Sequence, residues 1–231
     1  VGQVAIIRNA LLQVAEGDAN RFLNYLTREA FADIRQVVAQ FLETAPLGSV
    51  VPDDVVLTHG GQSAICLVLQ AVLTGAKPTI LVEDLSYAGF RRAAELMRAD
   101  VVGVEMDEHG VIPEALDAAI RRSGAQIFCS SPEVHNPTGC FTPLERRKAL
   151  VEVINRHDIQ ILEDDCYRIS EPRAHFYRAL APTRTWYVAS ISKSLTPALR
   201  VGFALGPTDR GGDLRRVAEY SYFGVAQPIA E

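Results

Sequence analysis

Hydrophobic positions along this chain follow two alternating rhythms. Short apolar, β-branched runs at residues 55–57, 79–82, 101–104, 126–129, 159–162, 187–189 and 201–205 predict buried strands. Between them, apolar residues recur every three or four positions. This spacing predicts helices over 88–98, 113–122 and 143–156, and one entered through Gly60–Gly61 with Ile65, Val68, Leu69, Val72 and Leu73 on its inner face. Thr142-Pro-Leu-Glu145 has the capping-box pattern, with proline at the first helical position. Upstream, residues 1–16 are weakly helical. Residues 29–43 predict a clearer helix, with Phe31, Ile34, Val37, Val38, Phe41 and Leu42 on one apolar face. A last helix is expected from about Thr208. Strands alternating with helices of this length mean βαβ units, a mostly parallel sheet and a site at the carboxyl ends of the strands.

Composition narrows this picture only at the edges. At 231 residues and 48% hydrophobic, the chain can form one large domain, or one and part of a second. A net charge of −5 argues against a broad nucleic-acid surface. No apolar run reaches membrane-span length, and no secretory signal is visible. Cys66, Cys129, Cys140 and Cys166 lack zinc-ligand spacing, so no metal site is expected and reduced thiols in a cytoplasmic protein are the default. The chain starts on Val1 and ends without a clear helix stop after Asp213, which suggests a piece of a longer protein.

The candidate chemistry gathers where strands end. Trp186 to Ser190 runs into a polar loop, Ser190-Ile-Ser192-Lys193, and Arg200 follows seven residues after the lysine. A lysine in a mostly apolar setting loses part of its charge to desolvation and becomes a candidate amine nucleophile; hydroxyls and an arginine beside it suit a phosphate. The alternative is a solvated loop lysine. Gly60–Gly61 before Gln62 exposes backbone N–H groups at a helix start, suited to an anion, or simply makes a tight strand-to-helix turn. Tyr87 offers a flat face to a planar ring, or packs locally. Asn136-Pro-Thr-Gly139 is a loop whose asparagine amide could donate to a ring oxygen, or an ordinary turn. Glu163-Asp164-Asp165 closes an apolar strand; a buried carboxylate there needs a cationic partner, which a protonated ring nitrogen could be.

Together and in this order, Asn-Pro-Thr-Gly, Asp164-x-x-Tyr167 and Ser190-x-Ser-Lys-x6-Arg200 resemble the pyridoxal phosphate (PLP) enzymes of the aspartate aminotransferase fold type, class I and II. The closest echoes are the aminoadipate/kynurenine aminotransferases and the aminotransferase-like domains of GntR/MocR regulators, over about residues 20–231. The resemblance implies the large PLP-binding domain of fold type I, a three-layer α/β/α unit with a mostly parallel sheet. It implies a helical segment over 1–48, a PLP domain over 49–231 and a missing small C-terminal domain. It makes Lys193 the Schiff-base lysine and Asp164 the partner of the ring nitrogen. Tyr167 and Asn136 become ligands of the ring oxygen, and Tyr87 the stacking aromatic. Ser190, Ser192, Arg200, Gly61 and Gln62 become phosphate ligands. Gly61 stands where the family usually has a small polar residue, so weaker contacts are expected there. Tyr25 falls where the family has a tyrosine that reaches the phosphate of the neighbouring subunit in a homodimer.

The implied activity is transamination between an amino acid and a 2-oxo acid, with Lys193 as the base at the substrate Cα. Two alternatives stand beside it. One is a PLP-dependent lyase, decarboxylase or racemase on this fold. The other is the effector domain of a GntR/MocR-type transcription regulator, with nucleic-acid contact only through a winged-helix domain upstream.

Overall fold

The computed structural model describes residues 2–18, 20, 23, 28–222 and 225–226. Its frame is a seven-stranded sheet of β1 (Val55–Thr58), β2 (Thr79–Glu83), β3 (Asp100–Val104), β6 (Ile127–Ser130), β7 (Gln160–Asp164), β8 (Thr185–Ser190) and β9 (Gly202–Leu205), in the order β1-β9-β8-β7-β6-β2-β3. The five strands from β8 to β3 run parallel, and only β9 runs against its neighbours. Every strand expected from the apolar runs is present, as the mostly parallel reading requires. A two-stranded hairpin of β4 (Met106–Asp107) and β5 (Gly110–Val111) turns through Asp107–Gly110.

Alternation along the strands buries both faces of the sheet, the pattern of a sheet covered on two sides. Ile80 and Val82 of β2, Ile127 and Cys129 of β6, and Leu162 of β7 face one core with α3 (Gly61–Val72), α4 (Ala88–Leu96) and α8 (Gly211–Tyr222). Leu81, Phe128 and Ile161 face the other, with α5 (Pro113–Ser123), α6 (Leu144–His157) and the short α7 (Tyr177–Leu180). Beyond them α2 (Ala32–Glu43) covers the β1-β9-β8 end with Leu42, packed among Tyr187, Phe203 and Leu205. Helix α1 (Gly2–Glu16) has no buried residue.

Three local expectations change. Helix α6 opens one residue later than the capping box requires: Pro143 is the N-cap and no side chain caps it. Thr142 is engaged elsewhere, its N–H donating to the Pro132 carbonyl (2.9 Å) and its own carbonyl accepting from Arg147 Nε (2.8 Å). The last helix starts at Gly211, because Pro207–Arg210 closes a turn first (2.9 Å). On α2 the single apolar face splits. Ile34, Val38 and Leu42 lie on one stripe at successive i+4 steps and pack inward, whereas Val37 and Phe41 fall to its side and stay 63% and 64% exposed.

The ends of β2, β6, β7 and β8 lie on one edge of the sheet. Antiparallel pairing brings the start of β9 to that edge too, with Gly202 opposite both Ser190 and Thr58.

Candidate active site

Three consecutive acids close β7, and the fold gives each a different fate. Glu163 points away from the pocket and accepts the backbone N–H groups of Tyr177 (2.8 Å) and Arg178 (3.0 Å) at the start of α7. Asp165 accepts the Tyr187 hydroxyl (2.6 Å) and Arg168 Nε (2.9 Å). Asp164 projects between them into a pocket at the sheet edge. One of its oxygens accepts the Cys166 N–H (2.9 Å); the other, Oδ2, is buried and has no partner among the described residues. Burial, reinforced by the nearby Glu83 charge, raises the Asp164 carboxyl above its ordinary range, against the lowering effect of the Cys166 bonds and of the nearby Ser131 hydroxyl. A buried carboxylate oxygen without a donor is costly unless a cation or donor completes it.

Around this floor the pocket is lined by Gly61, Gln62, Tyr87, Tyr167, Ser190, Ser192, Lys193 and Arg200, with Ile65, Cys166 and Pro197. Its empty volume is about 530 Å³, open solvent at the mouth included. Lys193 sits in the turn after β8, with Nζ 5.1 Å from the centre of the Tyr167 ring. It is exposed, so the apolar burial expected from its sequence setting is not what holds it. The Ser190 hydroxyl donates to Ser192 Oγ (2.8 Å) and is itself the acceptor for the Ser192 N–H (3.1 Å). Arg200 is exposed, adopts a left-handed backbone (φ 54°) and reaches back to the His59 carbonyl (3.3 Å).

Glycines make this packing possible. A Cβ on Gly60 would lie 2.6 Å from Arg200 Nη2, and Gly60 also has φ 81°. A Cβ on Gly61 would lie 2.4 Å from Cys166 Sγ. The cysteine therefore fills the space that a small side chain at position 61 would take. Burial and the Asp164 charge push its thiol well above its usual value, so it is a neutral filler.

Tyr87 precedes α4 and meets Tyr167 edge-on, with ring centres 6.3 Å apart. Gln62 donates to the Gly89 carbonyl (3.0 Å), tying the start of α3 to that of α4. Asn136 does not line the pocket; its Nδ2 donates to the Tyr167 hydroxyl (2.7 Å), which does.

The family model described as aminotransferase class I and II matches residues 2–230. The chain belongs to that family. Among curated relatives, a 2-aminoadipate transaminase from Thermus thermophilus is 33% identical over 190 residues, 79% of this chain and 46% of the relative. The transcriptional regulator TauR of Rhodobacter capsulatus, of the HTH type, is 33% identical over 165 residues, 68% of this chain and 32% of the relative. The solved structure of LysN, the α-aminoadipate aminotransferase of Thermus thermophilus complexed with N-(5'-phosphopyridoxyl)-L-leucine, superposes with a TM-score of 0.84 at 27% identity, covering 96% of this chain and 58% of that one. The chain thus spans about half or less of the length of the curated relatives it matches.

Of the residues singled out in the sequence, Gly61, Gln62, Tyr87, Asp164, Tyr167, Ser190, Ser192, Lys193 and Arg200 meet in one pocket, and Asn136 joins through Tyr167. Tyr25 lies outside the described residues. Ile65, Pro197 and the filling role of Cys166 had no signal beyond their apolar character. Gly89 carried one, as a glycine just inside a helix: a Cβ there would strike Tyr87 and Gln62.

Proposed function

We propose that this chain binds pyridoxal 5'-phosphate and that the protein it belongs to transfers amino groups between amino acids and 2-oxo acids. The observation that carries the reading is the bare, buried Oδ2 of Asp164 on the floor of a pocket rimmed by an amine, two phenols, two hydroxyls and a guanidinium. A protonated ring nitrogen supplies the cation that Asp164 lacks. Bound there, PLP supplies an electron-withdrawing ring that weakens the bonds at a substrate's Cα. The chain's own residues do the rest. Lys193 Nζ would hold the cofactor and, when free, would take the Cα proton as general base. Ser190, Ser192, the N–H groups of Gly61 and Gln62 and the Arg200 fork hold the phosphate. Tyr87 covers a ring face, and Tyr167, oriented by Asn136, donates to the ring oxygen.

The test is spectroscopic. Purified protein with added PLP develops a visible absorbance band that Lys193→Ala abolishes. Wild-type protein with no such band would sink the reading.

A second reading is favoured by the TauR likeness, in which PLP and an amino compound are regulatory ligands. A basic winged-helix segment encoded upstream of Val1 selects it, and steady turnover of an amino acid to its oxo acid selects the enzyme. Product analysis separates transamination from lyase chemistry. We also propose a cytoplasmic homodimer, supported by four free cysteines and by exposed Val37 and Phe41 on α2. No helix among the described residues is long and apolar enough to cross a membrane.

A further inference from the structure

Beneath the pocket lies a second buried charged pair that the proposed chemistry does not use. Glu83 ends β2 and His135 lies in the loop after β6; both side chains are 2% exposed, and His135 Nε2 faces Glu83 Oε2 at 3.1 Å. Glu83 also accepts the Ser130 hydroxyl (2.7 Å) and the Ser131 N–H (3.3 Å to each oxygen). The other ring nitrogen of His135, Nδ1, contacts Thr138 Oγ1 at 2.7 Å. The backbone closes the same loop: Gly139 N–H donates to the His135 carbonyl (2.7 Å), and His135 N–H to that of Cys140 (3.1 Å). Asn136 is enclosed within this knot, with its amide on the Tyr167 hydroxyl.

We propose that Glu83 and His135 are positioning residues: they lock the loop from both ends so that the Asn136 amide is held on Tyr167 in one orientation. The inference rests on the reading of Asn136 and Tyr167 as a cofactor-binding pair. A buried ion pair is a poor source of net stability, because desolvation offsets its attraction. What it supplies is fixed geometry. An imidazolium donates from Nδ1 to the Thr138 hydroxyl, while its Nε2 faces the Glu83 carboxylate as a charge contact without hydrogen-bond geometry. Burial alone would lower the His135 pKa, but the Glu83 carboxylate carries it above its ordinary value. Glu83 without that cation would also bear more heavily on Asp164, whose carboxyl it already pushes up. Among the described residues, the Asn136 amide has no side-chain hydrogen bond other than the one to Tyr167.

The test has two arms. In protein without PLP, the Asn136 side-chain amide is followed by NMR, assigned by its loss in Asn136→Ala. His135→Phe should erase its hydrogen-bonded shift, and Thr138→Val, which spares the buried pair, should do so in part. In PLP titrations, His135→Phe should weaken binding roughly five- to tenfold, the loss of about one hydrogen bond. The His135→Phe/Asn136→Ala double variant should bind no more weakly than Asn136→Ala alone. His135→Gln, which keeps a donor toward Glu83, should recover part of the loss. An unchanged Asn136 amide in folded His135→Phe overturns the proposal, as do affinity losses that simply add. Should His135→Phe not fold, an unchanged amide in Glu83→Gln, which removes the charge that His135 faces, overturns it equally. Wild-type protein that fails to bind PLP counts against the proposed function, and the NMR arm alone then decides this inference.

Discussion

The floor and the rim of the pocket are built on opposite plans. The floor, which Asp164 provides, is backed by Glu83, Glu133, His135, Arg147, Glu163 and Asp165, all buried and bonded to strand ends and loops. Fully buried Arg147 bonds Glu133 Oε2 at 2.6 Å, the Pro132 carbonyl at 3.2 Å and the His175 carbonyl at 3.0 Å. On the rim, Lys193 and Arg200 are exposed, and the two serines bond chiefly to each other and to the Val201 carbonyl. The floor owes its geometry to the fold, whereas the rim presents groups with bonding capacity to spare. Asp164 belongs to both: it is buried like the floor and left with an open oxygen like the rim.

The sharpest way to break this comparison is to cut the floor. Arg147→Met strands the Glu133 carboxylate in the interior, where only Arg173 still reaches it, and should destabilise the protein by about 3 kcal/mol in denaturant unfolding. Arg200→Lys on the rim should leave the unfolding midpoint within about 0.5 kcal/mol of wild type. It should nonetheless weaken PLP binding about tenfold, since a lysine cannot offer a fork. If these two profiles were exchanged, the division between floor and rim would fail.

Asp164 gives a finer test. Burial first, against hydrogen bonds and nearby cations, raises Asp164, lifts Asp165 to about 6 and lifts Glu163 to about 8. The folded chain thus binds more protons than the unfolded one. Their contribution to stability is fully present below about pH 4 and is lost as pH rises through these values. Thermal melting of PLP-free protein should therefore fall between about pH 5 and about pH 8.5 on account of these groups, and Asp164→Asn should flatten the fall. A pH profile unchanged by Asp164→Asn would remove it from the floor. The smallest effect is expected at Gly61. Gly61→Ala must displace Cys166 Sγ at a cost of about 1 kcal/mol, and adding Cys166→Ala should recover most of it.

Spacing along the chain made much of this legible. Lys193, Arg200 and the two serines share one short loop, so their grouping needed no knowledge of the rest of the fold. The seven strands were legible for a similar reason, because apolar runs of three to five residues between helical stretches leave few other readings. Helix α7 was not visible, since four residues carry no period and it exists because Glu163 caps it. Nor could Thr142 be excluded as a cap: the carbonyl it gives to Arg147 and the N–H it gives to Pro132 belong to the folded loop.

The order of strands and helices, the apolar character of both sheet faces and the identity of the residues at strand ends are properties of the sequence by itself. They follow from local periodicity and from the burial that periodicity demands. Which of three adjacent acids is left unpaired, whether Gly61 is a gap or a fitted space, and which side of α2 is buried were decided only by the tertiary structure. Each depends on a partner distant in sequence: α7 for Glu163, Tyr187 for Asp165, Cys166 for Gly61, and Phe203 with Leu205 for Leu42. A strand's alternation states that neighbours point to opposite sides; only the packed neighbours determine which side is the pocket.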